Sequence, residues 1–359
     1  MDTNKLHSWL TLALTPKVGP KTVKKLLNHF QTADNILAQD SATLGQFVGT
    51  AIAKLITSNA AEKALDDTYK WLELDKINNI ITLGDELYPN ELSEIVDPPV
   101  ILFAKGNLSL LKNRKFGIIG TRHPTEQGIL NASSFAKHLA NLNLTIVSGM
   151  AEGIDKHAHL GGLDGTGSTI GVIGTGIDRI YPSSNKDLFH NVAGRGLLLS
   201  EFPLGTQPFA GNFPRRNRIV AGLSSGCLVV ESSIDGGSMI TANMALEMGR
   251  EVMAIPGSIH NPVARGCHKL IKTGAKLVET TNDIIEELQL EPITSNQLAL
   301  DNTINDPILQ VMGYDTINID HICNKLNVSF AEICANLLAL ELDGYITNCG
   351  NGKYQRIFR

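Results

Sequence analysis

No apolar run in this 359-residue sequence reaches the roughly 18 residues that a membrane-spanning helix requires, so no membrane span is expected. The first residues, MDTNKLHSWLTL, lack the basic start and small-residue cleavage site of a secretory leader. The cysteines Cys227, Cys267, Cys323, Cys334 and Cys349 form neither a CxxC pair nor a zinc spacing. An odd, scattered set of this kind reads as reduced thiols, and a cytoplasmic location is expected. Nucleotide signatures are missing as well. Gly117-Ile118-Ile119-Gly120 is not GxGxxG, and neither GxxxxGKS nor GxxxxGKT occurs. A dinucleotide cofactor is therefore disfavoured, and no cofactor is expected. Gly222-Leu223-Ser224-Ser225-Gly226 fits GxSxG by letter, but it precedes a predicted strand, whereas a nucleophile elbow follows one. Asp155, His157 and His159 lack a further group of ligands; Asp155 reads as a helix N-cap, and no metal is expected.

Net acidity, −5 overall, argues against a polyanionic partner until it is resolved along the chain. Residues 1–60 carry +3, 61–111 carry −6, 112–288 carry +2 and 289–359 carry −4. The first and third segments can face a polyanion; the second and fourth suit protein contacts or solubility.

The same segments read as domains. Residues 1–65 predict a small helical domain of the helix-hairpin-helix or SAM-like kind, because Lys17-Val18-Gly19-Pro20-Lys21-Thr22 is echoed by Phe47-Val48-Gly49-Thr50, each opening an amphipathic helix. The glycine turn and helix start of the first copy can offer N–H groups to a phosphate, making Gly19, Lys21 and Lys24 candidate secondary contacts. An acidic connector follows, ending at Asp97-Pro98-Pro99. Residues 66–288 then predict a Rossmann-like α/β domain with an N-terminal extension. Apolar runs at 100–103, 116–120, 144–147, 168–173, 197–200, 227–230, 251–255 and 275–278 alternate with helical patterns. Runs of that length suit strands buried on both faces, and the alternation implies a doubly wound, mostly parallel sheet. Residues 289–305 read as a linker, and 306–359 as a winged helix with three helices and a two-stranded wing turning at Gly350-Asn351-Gly352. Its presumed recognition helix, Phe330–Glu341, has no basic residue, which favours protein contact over major-groove reading; Lys353 and Arg356 on the wing leave room for DNA.

Three arginines, Arg215, Arg216 and Arg218, fall within four residues behind Phe213-Pro214. Guanidinium groups suit phosphate, and crowding them costs repulsion unless an anion or carboxylates such as Glu201 or Glu231 lie nearby. Ligands of open α/β sheets bind beyond the carboxyl ends of the strands. Here those ends carry Gly120-Thr121-Arg122, Ser148-Gly149 with Gly153, Gly174 with Gly176, and Gly237-Ser238. Glycines let backbone N–H groups approach an anion, so these loops with Arg122, Arg215, Arg216, Asn217 and Arg218 form a candidate phosphate site.

Gly120-Thr121-Arg122, Ser148-Gly149-Met150-Ala151-x-Gly153-Ile154-Asp155-x-x-Ala158-His159, Gly176-Ile177-Asp178-x-x-Tyr181-Pro182, Phe213-Pro214-x-Arg216-Asn217-Arg218, Gly237-Ser238-x-Ile240-Thr241-Ala242 and Pro256-Gly257 occur in this order. As a set they resemble the DNA-processing protein family (DprA, also called Smf). The resemblance implies a cytoplasmic, non-enzymatic recombination mediator that binds and protects single-stranded DNA, loads RecA during natural transformation and forms homodimers. It implies DNA-phosphate contacts at Arg122, Arg216 and Arg218, with Phe213 as a base-stacking platform. The sequence departs from the family pattern at Glu152, Asp235, Gly236 and His268; the two carboxylates would weaken phosphate binding unless they point away. The alternative is a Rossmann-like nucleotide enzyme such as a nucleoside monophosphate hydrolase. Gly236-Gly237-Ser238-Met239-Ile240-Thr241 is reminiscent of its loop, yet the first following acid is Glu247. A regulatory mononucleotide-binding module is a third reading.

Overall fold

The computed structural model describes residues 3–290, 306–313 and 316–357; most of the expected linker 289–305 lies outside them. Except for the first, the strands form where the apolar runs predict. They are β1 (Asn78–Thr82), β2 (Ile101–Gly106), β3 (Lys115–Ile119), β4 (Thr145–Ser148), β5 (Thr169–Val172), β6 (Leu197–Ser200), β7 (Gly226–Val229), β8 (Glu251–Ala254) and β9 (Lys276–Leu277). They make one sheet in the order β1-β2-β6-β5-β4-β3-β7-β8-β9. From β6 to β9 every pairing is parallel, whereas β1–β2 and β2–β6 are antiparallel. Residues of β3, β4, β5, β6 and β7 are buried throughout, as strands covered by helices on both faces must be.

The acidic connector does more than connect. It folds as helix Glu62–Leu74 and strand β1, with Ile80 opposite Phe103 of β2. The asparagines of β1 blur its apolar pattern, so only its partner strand makes it a strand. Tyr88 further along donates its hydroxyl to the carbonyl of Pro99, 2.9 Å away.

Chain order reverses at β3, which has β4 on one side and β7 on the other. The helices that follow β3, β4 and β7 (Glu126–Asn141, Ile154–Leu163 and Gly237–Glu247) start near its carboxyl end. A sheet that winds in opposite directions from one strand opens a crevice there.

The N-terminal region is helical from Thr3 to Leu74. Its two repeat glycines differ in conformation. Gly19 is extended, with φ −106°, before helix Pro20–Phe30, whereas Gly49 has φ +81° between helices Ser41–Val48 and Thr50–Ile56. Among the basic residues of the first copy, Lys24 donates to the carbonyl of Val96 at 3.2 Å and Lys25 to that of Phe47 at 2.7 Å. Lys24 thus closes a carbonyl beside the sheet domain; Lys21 stays exposed.

At the C-terminal end, helices Pro307–Met312, Ile319–Leu326 and Phe330–Leu342 pack with β10 (Ile317–Asn318), β11 (Ile346–Gly350) and β12 (Lys353–Arg356). The two-stranded wing, β11 with β12, forms as expected, and β10 adds a third strand to its sheet where Ile317 and Asn318 pair with Tyr354 and Lys353. Arg356 donates to the carbonyl of Leu309 at 3.1 Å, which gives it a structural use.

Candidate nucleic-acid interface

Helix Asn212–Leu223 carries all three clustered arginines, and helical geometry separates them. Residues three apart share a face, while the next residue is turned by about 100°. Arg215 and Arg218 therefore turn to one side, where both meet Glu201. Arg218 is 6% exposed and also lies 3.4 Å from Asp97. Glu231, the other candidate carboxylate, instead accepts hydrogen bonds from the Thr125 hydroxyl at 2.6 Å and Thr125 N–H at 2.9 Å. The structure does not bring Arg218 to the crevice: a buried guanidinium needs carboxylates, and it has found two.

Arg216 points the other way. It is 5% exposed and donates to the carbonyl of Val172 at 2.6 Å and to that of Gly149. It thereby ties together the carboxyl ends of β4 and β5, and its Nε donates to Asn217 Oδ1 at 3.0 Å. Burial pulls its pKa down to about 10, with buried Asp155 opposing that shift and nearby Arg122 adding to it. It remains a cation at neutral pH. Burial pushes the Asp155 carboxyl up, while Arg216 and hydrogen bonds, including one from Gly149 N–H at 3.1 Å, hold it down. The N-cap of helix Ile154–Leu163 is Gly153, not Asp155. His159 is fully buried; its Nε2 accepts from Met150 N–H at 3.3 Å, and its Nδ1 lies 2.7 Å from the Thr169 hydroxyl.

Arg122 is exposed and has no carboxylate within ion-pair distance among the described residues. Its loop is strapped down on both sides. Thr121 N–H donates to the carbonyl of Glu231 at 2.8 Å, and Ile154 N–H donates to that of Thr121 at 3.1 Å. Gly153, with φ +75°, makes this possible: a Cβ there would stand 2.4 Å from the Thr121 carbonyl oxygen. The guanidinium carbon of Arg122 lies 5.8 Å from the centre of the half-buried Phe213 ring. Tyr181, 41% exposed, packs at a tilt against that ring with centroids 5.6 Å apart.

Most glycines of the crevice serve packing rather than anion approach. A Cβ at Gly149 would meet the Arg216 guanidinium at 2.6 Å, so this glycine makes the space that Arg216 fills. Side-chain or backbone atoms likewise occupy the spaces beside Gly120, Gly174 and Gly176. Ser148 is buried and donates to the carbonyl of Ile118 at 2.6 Å, so its hydroxyl is used inside the protein. Gly237 differs: nothing lies within 4 Å of its Cβ position. It begins helix Gly237–Glu247, whose N-terminus has no side-chain cap. Ser238 is buried and donates to Ser232 Oγ at 2.8 Å.

These parts enclose a cleft of about 400 Å³ at the carboxyl ends of β3 and β7. Arg122, Arg216, Phe213 and the start of helix Gly237–Glu247 line it, and the carboxylate among its lining residues is Asp155. A hollow of about 50 Å³ adjoins it across the Arg122–Phe213 ridge, bounded by Tyr181 and Glu152. Glu152 accepts from the Ser184 hydroxyl at 2.5 Å, and Asp235 is exposed outside both spaces. Chemically, the larger cleft offers two cations and an open helix start to an anion. The ridge beside it offers aromatic faces. Tyr181 was legible in sequence only as part of a motif; its place beside Phe213 needed the fold.

A family model described as DNA recombination-mediator protein A matches residues 79–289, and one described as the DprA winged helix domain matches residues 294–352. Protein Smf of Synechocystis is 32% identical across 97% of this chain and 98% of its own. The X-ray structure of DNA processing protein A from Streptococcus pneumoniae is similar with a TM-score of 0.69 and 38% identity, over 79% of this chain and 98% of that one. The DNA processing protein A of Helicobacter pylori, solved for its single-stranded DNA binding mode, is similar with a TM-score of 0.54 and 30% identity, over 59% of this chain and 96% of that one.

Proposed function

The chain belongs to the DNA recombination-mediator protein A family, and on that premise we propose that it binds single-stranded DNA without catalysing a reaction. Its phosphates are held at Arg122 and at the open start of helix Gly237–Glu247, with Arg216 supplying charge from beneath. Bases stack on Phe213 and Tyr181. The observation that carries this reading is Arg122, an exposed cation with no carboxylate partner among the described residues, set beside the buried cation Arg216 at the switch point. Two guanidinium groups so close repel one another until an anion arrives. Phosphate contacts position a strand without reading its sequence, so binding is largely sequence-neutral. The bound strand is protected and handed to RecA in natural transformation, and a homodimer holds two segments with raised avidity.

The hydrolase reading meets an obstacle. Glu247 ends a helix of 11 residues whose first turn is in the cleft, which sets it about 15 Å away along the axis. Asp155 is occupied by Arg216 and Gly149.

Anisotropy of a labelled oligothymidine and a matched duplex, across a salt series, tests the proposal. Salt-sensitive preference for the single strand, lost in Arg122→Ala, is expected. Equal binding by the variant would remove the site, and phosphate release from nucleoside monophosphates would revive the hydrolase.

A further inference from the structure

Helix Phe330–Leu342 of the winged helix is apolar on two sides. One side, with Ile333, Leu337 and Leu340, is buried in the core of its domain. The other carries Ala331, Ala335, Leu338 and Leu342, all exposed; Leu338 is 59% and Leu342 80% accessible. Steps of four, three and four residues put these side chains on one face. The stripe runs for about 16 Å along the helix axis. A single exposed leucine is ordinary, but a continuous apolar stripe on a helix already packed by its opposite side marks a contact surface. The fold itself does not call for it, since polar residues at these positions would leave the buried side intact.

The charges beside the stripe narrow what covers it. Helical geometry sets Glu332 and Asp343 along one flank and Glu341 along the other. None of the three has a cation within ion-pair distance among the described residues, and the helix has no basic residue. Such a border repels phosphate, whether on DNA or on a lipid headgroup. It also opposes a second copy of the same face. Paired antiparallel, the Glu332 end of one helix would meet the Asp343 end of the other; paired parallel, each acid would meet itself. Residues 291–305 of the chain are no better suited, because they bring Glu291 and Asp301 and no basic residue.

We propose that this face docks an amphipathic helix of another protein, with large apolar side chains along its seam and lysine or arginine on both flanks. A helix pairs its own backbone groups, whereas an extended segment laid on apolar side chains would leave N–H and C=O groups without partners. Ala331 and Ala335 leave room for large side chains of the partner, and Leu338 and Leu342 project between them one turn further on. The chain then holds DNA at the sheet and a protein at the winged helix through separate surfaces.

The test is anisotropy of two labelled synthetic helical peptides, each about 15 residues long, titrated with the full chain. Both peptides carry the same leucine seam; lysines flank it in one and glutamates in the other. The lysine peptide should bind, less tightly as salt rises, and the glutamate peptide should bind more weakly. Leu338→Ser combined with Leu342→Ser should weaken the lysine peptide at least about ten-fold while the thermal midpoint stays put, since both side chains are exposed. Glu332→Gln combined with Asp343→Asn should narrow the difference between the peptides. Oligothymidine binding by the leucine variant should match the wild type. Equal binding of the two peptides, no binding of either, or binding indifferent to the leucine substitutions would overturn the proposal. A smaller oligomer in the leucine variant would assign the face to a second copy, and lost oligothymidine binding would assign it to DNA; either result overturns it as well.

Discussion

Arg122 and Arg216 carry the same charge in opposite surroundings, and their substitutions should separate affinity from stability. Arg122 contacts solvent and an aromatic face, so Arg122→Ala should leave the thermal midpoint nearly unchanged. It should weaken oligothymidine binding and reduce the salt slope by about 0.7, as read by anisotropy. Arg216→Ala should cost about 3–5 kcal/mol in denaturant unfolding, since it strands Asp155 and two carbonyls in the interior. Arg218→Ala should destabilise by a similar amount, because Glu201 would lose its closest cation, yet binding by the protein that remains folded should persist. Sequence alone placed these cations in one phosphate cluster. Their division between ligand, internal tie and ion pair depends on side-chain direction around one helix, which adjacency in the chain does not reveal.

At the scale of elements, the turns matter more than their glycine content suggested. Gly153→Ala should lower stability by more than about 1 kcal/mol, because it combines positive φ with a clash against the Thr121 carbonyl. It should also weaken DNA binding by displacing the Arg122 loop, a double effect that thermal melts and anisotropy would show in one variant. The sheet strands were legible because burial on both faces requires unbroken apolar runs. Strand β1 was not, since its asparagines break the run and its pairing with β2 supplies what local sequence lacks. In the winged helix, Phe330–Leu342 has no basic side chain, and Phe330, Leu338 and Leu342 are exposed on it. Lys353→Ala on the wing should accordingly leave oligothymidine affinity unchanged within error, as measured by the same anisotropy titration.

For the molecule as a whole, buried ionisable groups make stability depend on pH. Burial and the nearby Arg216 charge drop His159 to a pKa of about 3, from an ordinary 6.5. Above pH 6.5 both folded and unfolded chains keep this imidazole neutral; below it the unfolded chain takes up a proton that the folded chain refuses. Stability therefore falls as pH falls, by up to about 1.4 kcal/mol per pH unit from this group. Asp155 and Glu201, whose carboxyls burial pushes up, act in the opposite sense. Comparing His159→Gln with the wild type isolates the histidine: denaturant midpoints measured between about pH 7 and pH 5 should fall more steeply in the wild type.

The sequence by itself determined the family, the alternation of strands and helices, and the position of Arg122 at a strand's carboxyl end. Those features are written in local patterns: apolar runs, glycine turns and motifs in fixed order. Only the tertiary structure decided which arginines face the cleft, that Gly149 makes room for Arg216, and that Tyr181 stands beside Phe213. Each of these depends on residues distant in the chain meeting at one sheet edge, and on the burial that decides whether a charge is satisfied inside the protein or left for a ligand.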